Sequence, residues 1–369
     1  MMFSIKQNLR NVVATLAISL AGSATKFAQT MKRLKIFVVG PLLAAALFVG
    51  CKDDDDNGKS SGKDVHVAGR DGNFAVLWKN GERQNLTDGV RVAEAISVFV
   101  SGNDVYAAGF MRNAQDIDVA ILWKNGTAQN LTDGTRNAQA SSVYVSGNDV
   151  YVAGYMRNAQ GIDVAVLWKN GTAENLTDGT RIASARSVYV SGNDVYVAGS
   201  IYTTGNDPVP SASLWKNGTA QSLIPNTLSF ANSVYVSGND VYVALVAYGV
   251  GVSSRLWKNG EVQTLASPGG ANSVFASGSD VYVAGYTATS SSSRAVLWKN
   301  GEAQSLSDGT RVEAYASSVF VSGSDVYVVG YERIGTDGSR SIAQLWKNGV
   351  EQTLTDGTNP ARAYSVFVK

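Results

Sequence analysis

From residue 64 onward the chain is written in short apolar runs divided by turn residues. One unit reads SVYVSGNDVYVAG, a stretch that differs between copies, AVLWKNG, then AQNLTDGTR and a short link. The first run starts at Ser97, Ser142, Ser187, Ser233, Ser273, Ser318 and Ser365, always followed by Val and then Phe or Tyr. The second follows at once from Asp104, Asp149, Asp194, Asp240, Asp280 and Asp325, and from Asp64 in the opening unit. The third carries Leu-Trp-Lys-Asn-Gly and the fourth ends in Asp-Gly. Gly-Asn or Gly-Ser closes the first hairpin with positive φ and Asn-Gly the second, so each unit predicts four short antiparallel strands.

Runs such as VYVAG and AVLW are apolar almost without alternation, so both faces of each sheet are expected to be buried. Four-stranded sheets sandwiched between copies of themselves predict a ring. Residues 61–369 hold seven tryptophan motifs, about 44 residues apart, within the ~40–45 of a four-stranded propeller blade. The expected fold class is therefore all-β, a seven-bladed β-propeller. The opening unit lacks its SVYV run, and Ser365–Lys369 is that run without its followers. A closed ring, with the C-terminal strand completing the first blade, explains this permutation; an open solenoid does not. The order of strand types is similar to that of WD-repeat propellers, with SVYV innermost and AQNLT outermost. The resemblance is one of strand order only, since Trp-Lys stands where that family has Trp-Asp and its Gly-His pair is missing.

Composition supports a folded chain: 44% of the 369 residues are hydrophobic and 17% charged. The net charge of +1 conceals an asymmetry. Lys6, Arg10, Lys26, Lys32, Arg33 and Lys35 precede residue 50 without any acid, leaving an excess of acid beyond it. That argues against a nucleic-acid partner. Cys51 is the single cysteine, which excludes an intramolecular disulfide and a multi-cysteine metal site.

The setting of Cys51 is informative. Met31-Lys32-Arg33-Leu34-Lys35 leads into an apolar run, Ile36–Val49, that ends in LFVGC and has the size of a signal h-region rather than a membrane span. The ending resembles a bacterial lipobox, and KDDDDNGKSSG resembles the export signal of surface lipoproteins in Bacteroidetes. The resemblance implies lipid on Cys51 and a protein held at the outer membrane, facing outward. The alternatives are a plain secretory signal with an incidental cysteine, and a solvated acidic linker on the periplasmic side. The expected organisation is a signal region over 1–50 starting at Met31, a linker over 51–60, and the propeller over 61–369.

Repeated residues are expected to be structural. The seven tryptophans suit an inter-blade packing contact better than sugar stacking. His66, the one histidine, stands where other units have tyrosine, so neither a Ser-His-Asp arrangement nor a histidine metal site can be assembled. The repeated aspartates lack calcium-loop spacing and read as turn caps, and the lysine of Lys-Asn-Gly reads as exposed. No cofactor or metal is expected.

Antiparallel geometry sends the near-invariant hairpins to one rim and the differing segments to the other, which makes the variable rim the candidate contact face. Its candidate ligand-binding residues are Arg112, Asn113, Arg157, Asn158, Tyr202, Tyr248, Tyr286, Tyr331 and Arg333. Arg91, Arg136, Arg181 and Arg311 are expected to pair with the Asp-Gly aspartates of the links. The expected role is binding or presentation of a glycan or protein. A polysaccharide hydrolase or lyase using Glu94 and Glu313 is the alternative, and a structural surface protein without a small ligand is a third.

Overall fold

The computed structural model describes residues 62–369 apart from 206, 250, 310, 312 and 335–339. The expected signal region over 1–50, Cys51 and the expected linker over 51–60 lie outside the described residues. Among these residues are 28 strands in seven four-stranded antiparallel sheets, which confirms the seven-bladed all-β propeller. Blade 2 is typical, with β4 (Ala93–Ser101) innermost, then β5 (Asp104–Arg112), β6 (Asp118–Lys124) and β7 (Thr127–Asn130) at the outer edge. Blades 3 to 7 repeat this order, their inner strands being β8 (Ala138–Ser146), β12 (Ala183–Ser191), β16 (Leu228–Ser237), β20 (Gly269–Ser277) and β24 (Ala314–Ser322). Blade 1 draws on both ends of the repeat: β28 (Ala361–Val368) pairs with β1 (Val65–Asp71), followed by β2 (Phe74–Lys79) and β3 (Glu82–Asn85).

The core is divided among the seven interfaces between blades. Each apolar cluster joins one blade to the next and contains one tryptophan: Trp168 of blade 3, for example, packs with Tyr106, Ala108 and Leu122 of blade 2. Trp78 does the same across the closing interface, against Tyr327, Val329 and Leu345 of blade 7. Six of the seven are at most 1% exposed, which fits packing and leaves no face for a sugar.

The glycine that ends VYVAG is fixed by the same packing. A Cβ on Gly154 would lie 1.9 Å from the Gln139 carbonyl oxygen and 2.9 Å from Trp168 Cζ3. Blade 5 carries Leu245 there, and its Trp257, 5% exposed, is the least buried of the set.

The invariant rim is a repeated clamp. In Lys-Asn-Gly both Asn and Gly have positive φ, as at Asn125 (51°) and Gly126 (80°), the pattern of a type I′ turn. In Ser-Gly-Asn-Asp the glycine alone does, as at Gly102 (57°), so the Gly-Asn pair behaves as a type II′ turn. Asn125 Oδ1 accepts from Val105 N–H, and its Nδ2 donates to Asp104. Lys124 reaches the same carboxylate at 2.8 Å and lies 5.3 Å from the centroid of the Tyr106 ring. The aspartates thus tie two hairpins together instead of capping their own turns, and the lysines, exposed as expected, are their ion-pair partners. The same arrangement recurs around the ring. His66, in the tyrosine position of blade 1, lies opposite Lys79 in register.

These contacts carry a pH dependence. Hydrogen bonds from lysine, then asparagine, hold Asp64, Asp104, Asp149, Asp194 and Asp280 below the usual aspartate value. Asp325, bonded by Asn348 and Lys63, is lowered to about 2. A carboxylate depressed in the folded state contributes stability above its unfolded pKa and loses it as pH falls through the folded value. The expected melting temperature is therefore level above about pH 5 and declines steadily below about pH 4. Circular dichroism melts between those limits and pH 2 check this; an unchanged melting temperature at pH 2 removes the clamps from the stability of the ring.

Candidate functional site

The inner strands read Ala-x-Ala-x-Ser-Val with few exceptions: AEAISV, AQASSV, ASARSV, SFANSV, GGANSV, AYASSV and ARAYSV. The alanines are buried between blades, while the first x position differs in every blade and the second takes five residue types, with serine at 141 and 317 and asparagine at 232 and 272. The second x is skipped in the pairing register of all seven inner strands, a β-bulge. A bulge leaves one residue without a partner and turns its side chain out of the ladder. Here it sends Ile96, Ser141, Arg186, Asn232, Asn272, Ser317 and Tyr364 into a funnel of ≈ 410 Å³ along the axis.

Beneath the bulges lies a ring of serines. Ser97 Oγ accepts from Val143 N–H at 3.1 Å, Ser142 from Val188 at 3.2 Å, and so on through Ser187, Ser233, Ser273 and Ser318 to Ser365, which accepts from Val98. Below them Phe99, Tyr144, Tyr189, Tyr235, Phe275, Phe320 and Phe367 form a closed iris with ring centroids 4.6–4.9 Å apart, the spacing of aromatic contact. The funnel is therefore open toward the variable rim and constricted toward the invariant one.

The first x position forms the mouth, together with the second strands. Arg70 donates to Glu94 at 2.9 Å. Tyr315 stacks on Tyr331 with centroids 5.1 Å apart and meets Tyr286 edge-on at 5.0 Å. The Arg362 guanidinium lies 4.5 Å from the centroid of the Tyr331 ring. Gly270 makes room for Tyr286, whose Cε1 would be 2.5 Å from a Cβ there. On blades 4 and 5, Arg186 lies 4.6 Å from the Phe230 centroid and donates to Asn232 Oδ1 at 2.8 Å, while Tyr248 meets Phe230 edge-on at 6.2 Å. Burial raises the pKa of Tyr286 and Tyr331, the latter partly offset by Arg362 and Arg333. Burial also raises that of Tyr364, with Glu94 adding to the effect. These side chains make an aromatic and cationic arc from blade 4 round to blade 1.

The sequence-derived candidates divide into two groups. Tyr248, Tyr286 and Tyr331 belong to the arc, and Tyr202 ends the second strand of blade 4, the blade that carries Arg186. Arg333 borders it, paired with Glu313 at 3.2 Å. The other four serve their own loops. Arg112 pairs with Asp118 and Arg157 with Asp163. Asn113 Oδ1 accepts from Gln115 and Ile117 N–H while its Nδ2 donates to the Gly134 carbonyl, and Asn158 repeats this with Gln160, Ile162 and Gly179. A recess of ≈ 500 Å³ beside Arg157 and Asn158 therefore presents mostly groups already engaged.

The arginines of the links do not pair as expected either. Asp133 and Asp178 accept from the backbone and hydroxyl of Thr135 and Thr180, and Arg311 reaches Glu332 on β25 (Asp325–Ile334). The compact Asp-x-Thr turn places the nearer donors on the carboxylate before a long side chain can return to it.

No family model matches the chain, and no curated protein does. Among solved structures, the β-propeller domain of the Trilobed protease from Pyrococcus furiosus, described as having an open velcro topology, is 13% identical over 80% of this chain and 93% of its own, with a TM-score of 0.50. The Pyrococcus horikoshii acylaminoacyl peptidase is 15% identical with a TM-score of 0.48; the match takes in 79% of this chain but spans only 50% of the peptidase. YjhT is 12% identical over 70% of this chain and 96% of its own, with a TM-score of 0.39. At these identities the likeness is one of fold, and it is the propeller that this chain has in common with the protease domain.

Proposed function

We propose that this protein is a binding propeller that receives a compact polar ligand, of saccharide size, in the funnel at the variable rim. The observation that carries the reading is the convergence of the differing inner-strand residues on one concave site, while the alanine, serine and valine positions around them repeat. A rigid scaffold that varies along one rim and in the recess it surrounds is suited to recognition, and aromatic faces beside arginine and asparagine suit a ring that bears polar groups. The hydrolase alternative calls for two carboxylates working as acid and base, whereas Glu94 is engaged by Arg70, and Glu313 by Arg333 and the Tyr315 hydroxyl. Lipid on Cys51 would hold the propeller at the outer face of a bacterial cell.

Two readouts test this proposal. On a glycan array, Tyr331→Ala and Tyr315→Ala are expected to weaken binding about tenfold or more, with Arg112→Ala and Arg157→Ala near the parent. Loss in the two arginine variants alone places the site off the axis. Palmitate incorporation in cells is expected to vanish in Cys51→Ala, and its persistence there excludes the anchor.

A further inference from the structure

Two guanidinium groups, one in the funnel and one at its mouth, have no carboxylate partner among the described residues. Arg186, on the bulge of blade 4, donates to the neutral Oδ1 of Asn232 and lies over Phe230. Arg362, on blade 1, lies over Tyr331, and its Nε is buried without a hydrogen-bond partner. Their neighbours Arg70 and Arg333 each have a carboxylate. Arg186 is exposed within the open funnel, so an anion entering from the rim can reach its guanidinium and form the charge-assisted contact that the protein itself does not supply.

The serine ring adds donors of the matching kind. Each hydroxyl oxygen already accepts a valine N–H from the following blade. Its own proton has no acceptor among the described residues and is free to donate toward the axis. A guanidinium fork beside several hydroxyl donors in one concave site is a receptor for an oxyanion. Glu94 does not oppose this, because Arg70 neutralises it.

We infer that the group received by the funnel is an oxyanion, such as a carboxylate, sulfate or phosphate, bound by Arg186 and the serine hydroxyls beside it, with Arg362 as a second cation at the mouth. This rests on the funnel being the ligand site. The aromatic arc then stacks on the ring that carries the charge, so an acidic sugar satisfies both halves of the site.

Titration calorimetry on the full chain, with glucuronate, glucose, inorganic sulfate and inorganic phosphate as probes, tests the inference. Glucuronate is expected to bind at least ~10-fold more tightly than glucose, with an affinity that falls as sodium chloride is added. Arg186→Gln is expected to abolish that preference and Arg186→Lys to retain part of it, with melting curves establishing that both variants are folded. Sulfate or phosphate binding as tightly as glucuronate identifies a free anion as sufficient, and much weaker binding identifies the sugar ring as the carrier. Equal binding of glucose and glucuronate, a preference that survives in folded Arg186→Gln, or no binding by any probe overturns the inference. A neutral saccharide whose binding is lost in Tyr331→Ala but kept in Arg186→Gln overturns the anion alone and leaves the funnel as the site.

Discussion

Removing Ala361–Lys369 is expected to abolish cooperative folding of the entire ring. β28 places Ala361, Ala363, Val366 and Val368, each at most 5% exposed, in the interface shared by Trp78 and blade 7. Its loss uncovers Val67 and Ala68 of β1 and removes two links of the serine ring, Ser318 to Val366 and Ser365 to Val98. Full burial of a valine is worth roughly 1.5–3 kcal/mol, so Val366 and Val368, with the half-buried Phe367, supply a large share of the stability of about 5–15 kcal/mol that a domain possesses. The truncated chain should lack a sigmoidal melt and bind a hydrophobic dye. A permuted chain separates closure from mere loss of residues. Asp64 and Lys369 exchange both backbone hydrogen bonds at 2.9 Å, as the residues flanking the other first hairpins do. A Gly-Asn turn joining Lys369 to Asp64, with the chain ending at Pro360, should therefore restore a cooperative transition. A truncated chain that melts within a few degrees of the parent refutes the closing role of β28.

Trp168→Ala should cost about 3–5 kcal/mol in urea unfolding, the range for deleting a large buried aromatic. Trp168 has no exposed surface and wedges between two blades, so its removal leaves a cavity that two rigid sheets cannot close. Its indole N–H has no acceptor among the described residues, so Trp168→Phe should cost distinctly less, since the group deleted is partly a penalty. Lys169→Met, on the exposed side of the same motif, should leave the urea midpoint close to that of the parent. A loss under about 1 kcal/mol for Trp168→Ala would mean that the interfaces are held by something other than the tryptophans.

The architecture was legible because its signals are local and repeated seven times. Asn-Gly turns, apolar runs and one tryptophan per unit each report the same strand order, and the displaced run at Ser365 indicates closure. The funnel was legible only in part. Tyr248, Tyr286 and Tyr331 stood out as differing residues on the variable rim, whereas Arg186, Phe230, Arg362 and Tyr364 were hidden inside strands that look alike. A signal for them exists, in the two differing positions that the alanines and serine of Ala-x-Ala-x-Ser-Val frame. Arg112, Asn113, Arg157 and Asn158 drew attention by residue type, and the structure shows them bonded to their own loops and to the adjoining link.

By itself, then, the amino-acid order determined the strands, the number of blades and the way the ring closes, since turn chemistry and apolar patterning act between neighbours in the chain. Tertiary structure alone decided what points at the axis. A bulge in each inner strand, accommodated by the facing glycine or, in blade 5, by Leu245, turns one side chain per blade out of its ladder. Those seven side chains, about 40 or more residues apart in the chain, meet only when the ring is complete.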